Sequence, residues 1–125
     1  EIDIFEVFGN PSAASRKREY LMTVHKYMTP YIEATGNADH ESTGNSAYVP
    51  FDFAEDFHVY SFLWTPENLT WFVDGKELCK IRNTYHFRPL YLNFDCEVML
   101  WEGTPDAADL PANFDIDYIR TWQLD

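Results

Sequence analysis

The sequence predicts an all-β protein, a β-sandwich of antiparallel strands, and three features support this class. Apolar and polar residues alternate along most segments, which is the period of a strand and not of a helix. Clusters of Gly, Pro and Asn separate these segments. The dipeptide Asp74-Gly75 lies between two of them and favours a type I′ hairpin, in which both central residues have a positive φ. We expect about seven strands and little helix.

Strands are predicted, in chain order, over residues 1–8, 19–26, 57–65, 69–73, 76–82, 90–101 and 114–123. The stretch 27–56 is rich in Gly, Asn, Ser, Thr and Pro and is predicted to be a long irregular loop. Its aromatic residues either wall a groove or pack the loop down; they are Tyr27, Tyr31, His40 and Tyr48. The chain has 125 residues, of which 46% are hydrophobic, so residues 1–125 are predicted to form one domain with its own core.

The first strand carries the most informative pattern. Glu1 and Asp3 point to the same face of an extended strand, and Glu6 joins them only if Ile4 or Phe5 is absorbed as a β-bulge. Carboxylates held close raise one another's pKa, which lets one stay ionised as a nucleophile while another keeps a proton as an acid. An ionised carboxylate and a protonated carboxyl group held together in this way can cleave a glycosidic bond. The alternative is an edge strand with a solvated acidic face.

The run from Glu1 to Glu6 resembles the active-site signature of glycoside hydrolase family 16, Glu-x-Asp-x-x-Glu, in the version that contains the bulge. The resemblance implies a retaining double displacement. Glu1 would be the nucleophile, Asp3 the acid that hydrogen-bonds and tunes it, and Glu6 the general acid/base. The block 57–76 resembles the family's convex-sheet hairpin. The implied fold is a concanavalin-like jelly roll of two curved antiparallel sheets, with the carboxylates on the concave face.

The resemblance covers essentially the whole chain, which corresponds to the C-terminal half of a typical catalytic domain of the family. We therefore expect an upstream segment of the same domain to complete sheets whose edges would otherwise be unpaired. Asp117-Tyr118-Ile119-Arg120 resembles the family's terminal Asp-Tyr-Val-Arg block, whose Asp in several members helps to hold a structural calcium. Either Asp117 helps to hold a calcium, or it is simply a capped or solvated Asp. No cofactor is otherwise expected.

Sugar-binding residues are predicted on one face of the segment 90–101. Amides and carboxylates recognise hydroxyl groups, and aromatic rings cover the apolar faces of sugars. The residues concerned are Asn93, Asp95, Glu97 and Trp101. A strand face that meets water is the alternative. His25 could also point into the cleft, because Thr23-Val24-His25 resembles the family segment that places a His beside the substrate.

The segment 101–111 resembles the loop of the agarase and porphyranase branch of the family. It implies an endo-acting hydrolase of a marine galactan such as agarose or porphyran. A β-1,3-glucan remains an alternative substrate, because laminarinases share the bulged motif. A transglycosylase would share the same residues, and a non-catalytic carbohydrate-binding jelly roll is the alternative of another class.

The overall charge narrows the partners further. A formal net charge of −12 argues against nucleic acid, whose binding relies on Lys and Arg. No apolar run approaches the length of a membrane span, so no membrane partner is expected. The expected partner is a polysaccharide. The family resemblance implies a secreted, cell-surface or periplasmic protein.

Cys79 and Cys96 permit one disulfide, but both are better explained as small buried hydrophobic residues.

Overall fold

The computed structural model describes residues 1–9, 14–27 and 40–124. The chain divides into two compact units, residues 1–92 and residues 93–125. The described part of the first unit contains six β-strands in two antiparallel three-stranded sheets. The described part of the second unit contains two short 3-10 helices, Leu100–Glu102 and Ala107–Asp109. The predicted all-β class is therefore confirmed.

The first sheet carries the acidic strand. It consists of β1 (Ile2–Val7), β2 (Glu19–Tyr27) and β3 (His40–Tyr48), in the order β1-β2-β3. A 3-10 helix, Ala14–Arg18, leads directly into β2. Tyr20 and Met22 lie on one face of β2 and are fully buried, whereas the alternate residues face the other way and are half-buried. This alternation gives the sheet one core face and one open face.

Strand β3 lies where a long irregular loop was predicted, and for residues 40–48 that prediction is wrong. The strand is almost entirely exposed and pairs with β2 along its whole length, from Glu19 opposite Tyr48 to Tyr27 opposite His40. Its backbone hydrogen bonds to β2 hold it in place, although it has almost no apolar side chains to bury. The rest of that loop prediction concerning residues 28–39, including Tyr31, lies outside the described residues.

The second sheet consists of β4 (Tyr60–Trp64), β5 (Asn68–Val73) and β6 (Lys76–Arg82), in that order. The predicted hairpin between β5 and β6 is confirmed, because Asp74 and Gly75 have φ values of 51° and 77°. These are the left-handed conformations that a type I′ turn needs.

The two sheets pack face to face around one aromatic core. Tyr20 from the first sheet and Trp71 from the second have no exposed surface. The Phe5 ring meets the Tyr60 ring edge-on, with centroids 4.2 Å apart. Further buried residues complete the core; they are Met22, Val49, Phe53, Leu69 and Val73. Two antiparallel sheets that share a core in this way confirm the predicted β-sandwich.

Two predicted strands are absent, namely residues 90–101 and 114–123. Both segments have no strand pairing in the described chain, and Trp101 lies in a 3-10 helix. Side chains of the predicted packing face are about half exposed, including Leu90 at 50% and Val98 at 58%. An alternating pattern permits a strand, but a strand also needs a neighbour for its N–H and C=O groups.

The cysteines differ from the prediction in part. Cys79 in β6 is half-buried, whereas Cys96 is exposed, and both are free thiols. The prediction of a small buried hydrophobic residue is thus wrong for Cys96, because the strand predicted around it does not form. No helix in the described part of the chain is long and apolar enough to cross a bilayer.

Candidate active site

The open face of the first sheet carries the acidic residues because β1 contains a bulge. Asp3 lies opposite Thr23, and Glu6 lies opposite Leu21. Three steps along β1 therefore match two steps along β2, so one extra residue is absorbed between Asp3 and Glu6. This is the bulge predicted at Ile4 or Phe5. It places Glu6 on the same face as Asp3.

Two side chains of the core form hydrogen bonds to the backbone of the bulge. The Tyr20 hydroxyl donates to the carbonyl oxygen of Ile4, and the indole Nε1 of Trp71 donates to the carbonyl oxygen of Asp3 at 2.8 Å. Extra residues in a bulge leave backbone groups without ladder partners, and buried groups of this kind need other partners. Two buried aromatic side chains supply hydrogen bonds here. Tyr20 and Trp71 therefore restrain the bulge that positions the Asp3 and Glu6 carboxylates.

Two hydrogen bonds connect the acids to the end of β2. The Tyr27 hydroxyl donates to Oε2 of Glu1 at 2.9 Å. The Nε2 atom of His25 lies 3.0 Å from Oδ2 of Asp3, and the Nδ1 atom of His25 lies 2.7 Å from Nε2 of His40. An ionised Asp3 can only accept, so the hydrogen of this contact comes from Nε2 of His25.

The three rings beside the acids are stacked. Tyr27 and His40 are cross-strand neighbours whose ring centroids lie 4.7 Å apart, with planes 13° from parallel. The His25 and His40 centroids are 4.9 Å apart, at 14°. We call Tyr27, His25 and His40 the ring stack. It lies at the end of the sheet where Glu1 is paired with His25 through a backbone hydrogen bond of 2.9 Å.

The surroundings of the acids shift their protonation. Burial raises the pKa of Glu6 above its usual range, and the negative charge of Asp3 raises it further. Burial is also the main reason that the pKa of Asp3 is raised, while His25 acts to lower it and Glu1 acts to raise it. The prediction that close carboxylates raise one another's pKa is correct in sign, but desolvation is the larger cause.

A cation could also fit among these groups. One ligand atom each from Glu1, Asp3 and His25 lie within 4.8 Å of one another. Carboxylate oxygens and imidazole nitrogen are ligands for several divalent ions. Within the described residues this is the one group of three or more such side chains, and it does not include Asp117, which is exposed. A calcium at Asp117 stays a prediction.

Comparison with known proteins assigns the chain. The family model described as "Glycosyl hydrolases family 16" matches residues 1–120. The chain belongs to glycosyl hydrolase family 16. This confirms the family resemblance of the acidic motif, and the match extends through both units.

The chain is also similar to two curated relatives and to one solved structure. A glucan endo-1,3-beta-glucosidase A1 from Niallia circulans is 30% identical over 98% of this chain and 19% of its own length. A kappa-carrageenase from Pseudoalteromonas carrageenovora is 26% identical over 98% of this chain and 33% of its own length. The chain thus spans a third or less of either relative. The crystal structure of that carrageenase with an oligotetrasaccharide of kappa-carrageenan covers 70% of this chain and 32% of the carrageenase, with 24% identity and a TM-score of 0.54, which shows the jelly-roll fold.

The predicted sugar-binding residues lie in different parts of the structure. His25 lies on the open face and contacts Asp3, and its sugar-binding role stays a prediction. The residues predicted on segment 90–101 are exposed side chains of the second unit, where Asn93 donates to Oδ2 of Asp95 at 3.0 Å. Asn93, Asp95, Glu97 and Trp101 do not lie on a strand face in this structure, and their sugar-binding role stays a prediction.

Two further residues of the site were not among the predicted site residues. Tyr27 and His40 were named only as aromatics of a loop that walls a groove or packs down. The structure brings them to the acids because β2 continues to Tyr27 and β3 begins at His40. Recognising β3 as the partner of β2 would have found them, since opposite positions in a strand pair have neighbouring side chains.

Proposed function

We propose that this chain carries the catalytic carboxylates of an endo-acting, retaining glycoside hydrolase that cleaves a β-linked polysaccharide. The observation that carries the proposal is the bulged β1 strand, which brings Asp3 and Glu6 to the open face of the first sheet, with Glu1 bonded to Tyr27 at its end. Pure sugar binding gives no reason to hold three acids on one short track. Membership of a family of glycosyl hydrolases supports the same conclusion.

The proposed roles follow from the environments of the acids. Glu1 acts as the nucleophile on the anomeric carbon, and Glu6 gives its proton to the departing glycosidic oxygen. A raised pKa suits Glu6 to this role, because the group must still hold a proton when the substrate binds. Asp3 lies between them in sequence, bonds His25, and adds negative charge that raises the pKa of Glu6. Water then releases the sugar from Glu1, with Glu6 as the base.

For the substrate we propose a marine galactan, agarose or porphyran, on the basis of the segment Trp101-Glu102-Gly103-Thr104-Pro105. The second candidate is a β-1,3-glucan, which is favoured by the 30% identity to a protein named as a glucan endo-1,3-beta-glucosidase. We also propose that His25 binds the substrate, as do Asn93, Asp95, Glu97 and Trp101. The glucan endo-1,3-beta-glucosidase and the kappa-carrageenase are named for action on polysaccharides, so we also propose a secreted, cell-surface or periplasmic location. We further propose that residues 1–125 form the C-terminal portion of a single catalytic domain.

The test is release of reducing ends from agarose, porphyran, carrageenan, laminarin and mixed-linkage glucan, using the longest available form of the protein. Glu1→Gln should abolish turnover while folding and polymer binding persist, because the amide keeps the shape of the side chain but cannot attack. The exposed Glu55→Gln is the matched control and should retain parent activity. Thermal unfolding of both variants checks that the fold is intact.

The outcomes separate mechanism from substrate. Cleavage of agarose or porphyran that Glu1→Gln eliminates supports both parts of the proposal. Cleavage of laminarin alone keeps the mechanism and moves the substrate to the second candidate. If the parent binds a polymer but does not cleave it, the enzyme proposal is wrong and the chain is better described as a carbohydrate-binding protein. Parent-level turnover by Glu1→Gln would show that the catalytic assignment is wrong.

A further inference from the structure

Tyr27 makes a direct contact with the proposed nucleophile. Its hydroxyl donates to Oε2 of Glu1 at 2.9 Å, which leaves the second carboxylate oxygen of Glu1 available to a substrate. Hydrogen bonds to an ionised acceptor are about twice as strong as those between neutral groups. Partial burial and the contact with Glu1 raise the pKa of Tyr27, so the phenol keeps the proton that it donates.

The Tyr27 side chain is itself held in place. Its ring stacks on His40, and His40 in turn contacts Nδ1 of His25 at 2.7 Å. The backbone carbonyl of Tyr27 accepts a hydrogen bond of 3.2 Å from the Tyr85 hydroxyl, which joins the end of β2 to the segment after β6. A tyrosine restrained at both ring and backbone can orient a carboxylate, because few of its rotamers remain available.

We propose that Tyr27 is a positioning residue for the nucleophile, one that holds the Glu1 carboxylate and stabilises the negative charge that returns to it as the covalent intermediate breaks down. This inference rests on the proposed function, because it assigns Glu1 as the nucleophile.

The two chemical steps use the Tyr27 hydrogen bond differently. In the first, a free oxygen of Glu1 bonds to the anomeric carbon, the glycosidic C–O bond breaks, and the leaving oxygen takes the proton of Glu6. In the second, Glu6 takes a proton from water, the water oxygen bonds to the anomeric carbon, and the ester C–O electrons return to Glu1. Negative charge on Glu1 falls in the first step and grows in the second. A donor on Oε2 therefore assists the second step more.

Tyr27→Phe tests this role because it removes the hydroxyl and keeps the ring in the stack. The assay uses an aryl oligosaccharide of whichever polymer the protein cleaves, followed through the first turnover and the steady state. We expect steady-state kcat to fall roughly tenfold, the scale of one lost hydrogen bond to a charged group. KM should fall with kcat, and a burst of aryl release should appear as the covalent intermediate accumulates. Mass spectrometry of the quenched protein should show more glycosylated enzyme.

Tyr118→Phe is the matched control, because it removes the same hydroxyl from an exposed tyrosine to which no part in the reaction is assigned. It should behave as the parent. A Tyr27→Phe variant with parent kcat and no burst, while Glu1→Gln is inactive, would overturn the positioning role and leave the proposed function intact. A fall in kcat with unchanged KM and no accumulated intermediate would also overturn it. Turnover by Glu1→Gln would overturn the proposed function and this inference together.

Discussion

Glu6 shows how burial and charge combine at a single residue. The sequence predicts a raised pKa from neighbouring carboxylates, and the structure shows that desolvation is the larger cause, with Asp3 second. Burial of a side chain depends on elements that pack around it, which the local motif does not contain. The acidic motif therefore predicted the direction of the pKa shift but not its main origin.

The charge of Asp3 makes a testable contribution to the pH dependence. Asp3→Asn removes a negative charge that raises the pKa of Glu6, so the pKa of Glu6 should fall. The general acid then loses its proton at lower pH, and the alkaline limb of the kcat/KM profile should move to lower pH. The measurement is kcat/KM against pH for the parent, Asp3→Asn and the control Glu55→Gln. An alkaline limb that stays in place or moves upward would contradict this account of Glu6.

His25 and Tyr27 illustrate what a motif can and cannot supply. His25 was predicted as a cleft residue from the run Thr23-Val24-His25, and the structure places it on the open face, against Asp3. Tyr27 lies only two residues further along the same strand. The sequence predicts a loop from residue 27 onward, because the stretch 27–56 is rich in turn formers. The prediction ended the strand at residue 26, one residue too early for Tyr27 to be recognised.

At the scale of elements, pairing partners decided which predictions succeeded. The hairpin of β5 and β6 was predictable because its partner strands are adjacent in sequence and Asp74-Gly75 encodes the turn. Strand β3 was missed because its side chains are polar and exposed, so its existence depends on hydrogen bonds to β2. Segments 90–101 and 114–123 have the converse problem. Their patterns suit strands, but no strand pairs with them in the described chain.

Asp74, in the turn between β5 and β6, should make the free energy of unfolding depend on pH. Oδ1 of Asp74 accepts from the backbone N–H of Val59 at 2.9 Å, and Oδ2 lies 2.8 Å from Nδ1 of His58. Desolvation opposes ionisation of Asp74, but the Val59 hydrogen bond and His58 outweigh it, so its pKa is below the ordinary value of 3.8. A carboxyl with a lowered folded-state pKa stabilises the fold above its unfolded-state pKa, and this contribution is lost as pH falls through the folded-state value.

Asp74→Asn isolates this effect, because Asn tolerates the positive φ and can still accept from Val59. The variant should have a lower free energy of unfolding than the parent at neutral pH. The difference should shrink as the pH falls below 3.8. Urea unfolding at a series of pH values measures it, with the exposed Asp56→Asn as a control. A difference that stays constant with pH would mean that the Asp74 charge is not the stabilising feature.

At the largest scale, the core of residues 1–92 connects the second sheet to the acids on the first. Trp71 is fully buried in β5, and its indole bonds the Asp3 carbonyl at the bulge of β1. The sequence predicted two packed sheets and a bulge, but it could not show that one side chain joins them. That contact depends on how the sheets are placed against each other. It implies that core packing sets the geometry of the carboxylates.

Trp71→Phe tests this connection between core and site. Phe fills part of the Trp volume but cannot donate to the Asp3 carbonyl, so the free energy of unfolding should fall by about 1–3 kcal/mol. The kcat of the folded fraction should fall as well, because the bulge loses a restraint from behind. Leu69→Ala is the matched control, since Leu69 is 1% exposed on the same strand and its truncation should cost at least as much stability, about 2–5 kcal/mol. Both variants are assayed well below their melting temperatures, with the folded fraction measured in each. Loss of kcat in Trp71→Phe alone supports the connection, whereas equal kcat in the two variants would reduce Trp71 to an ordinary core residue.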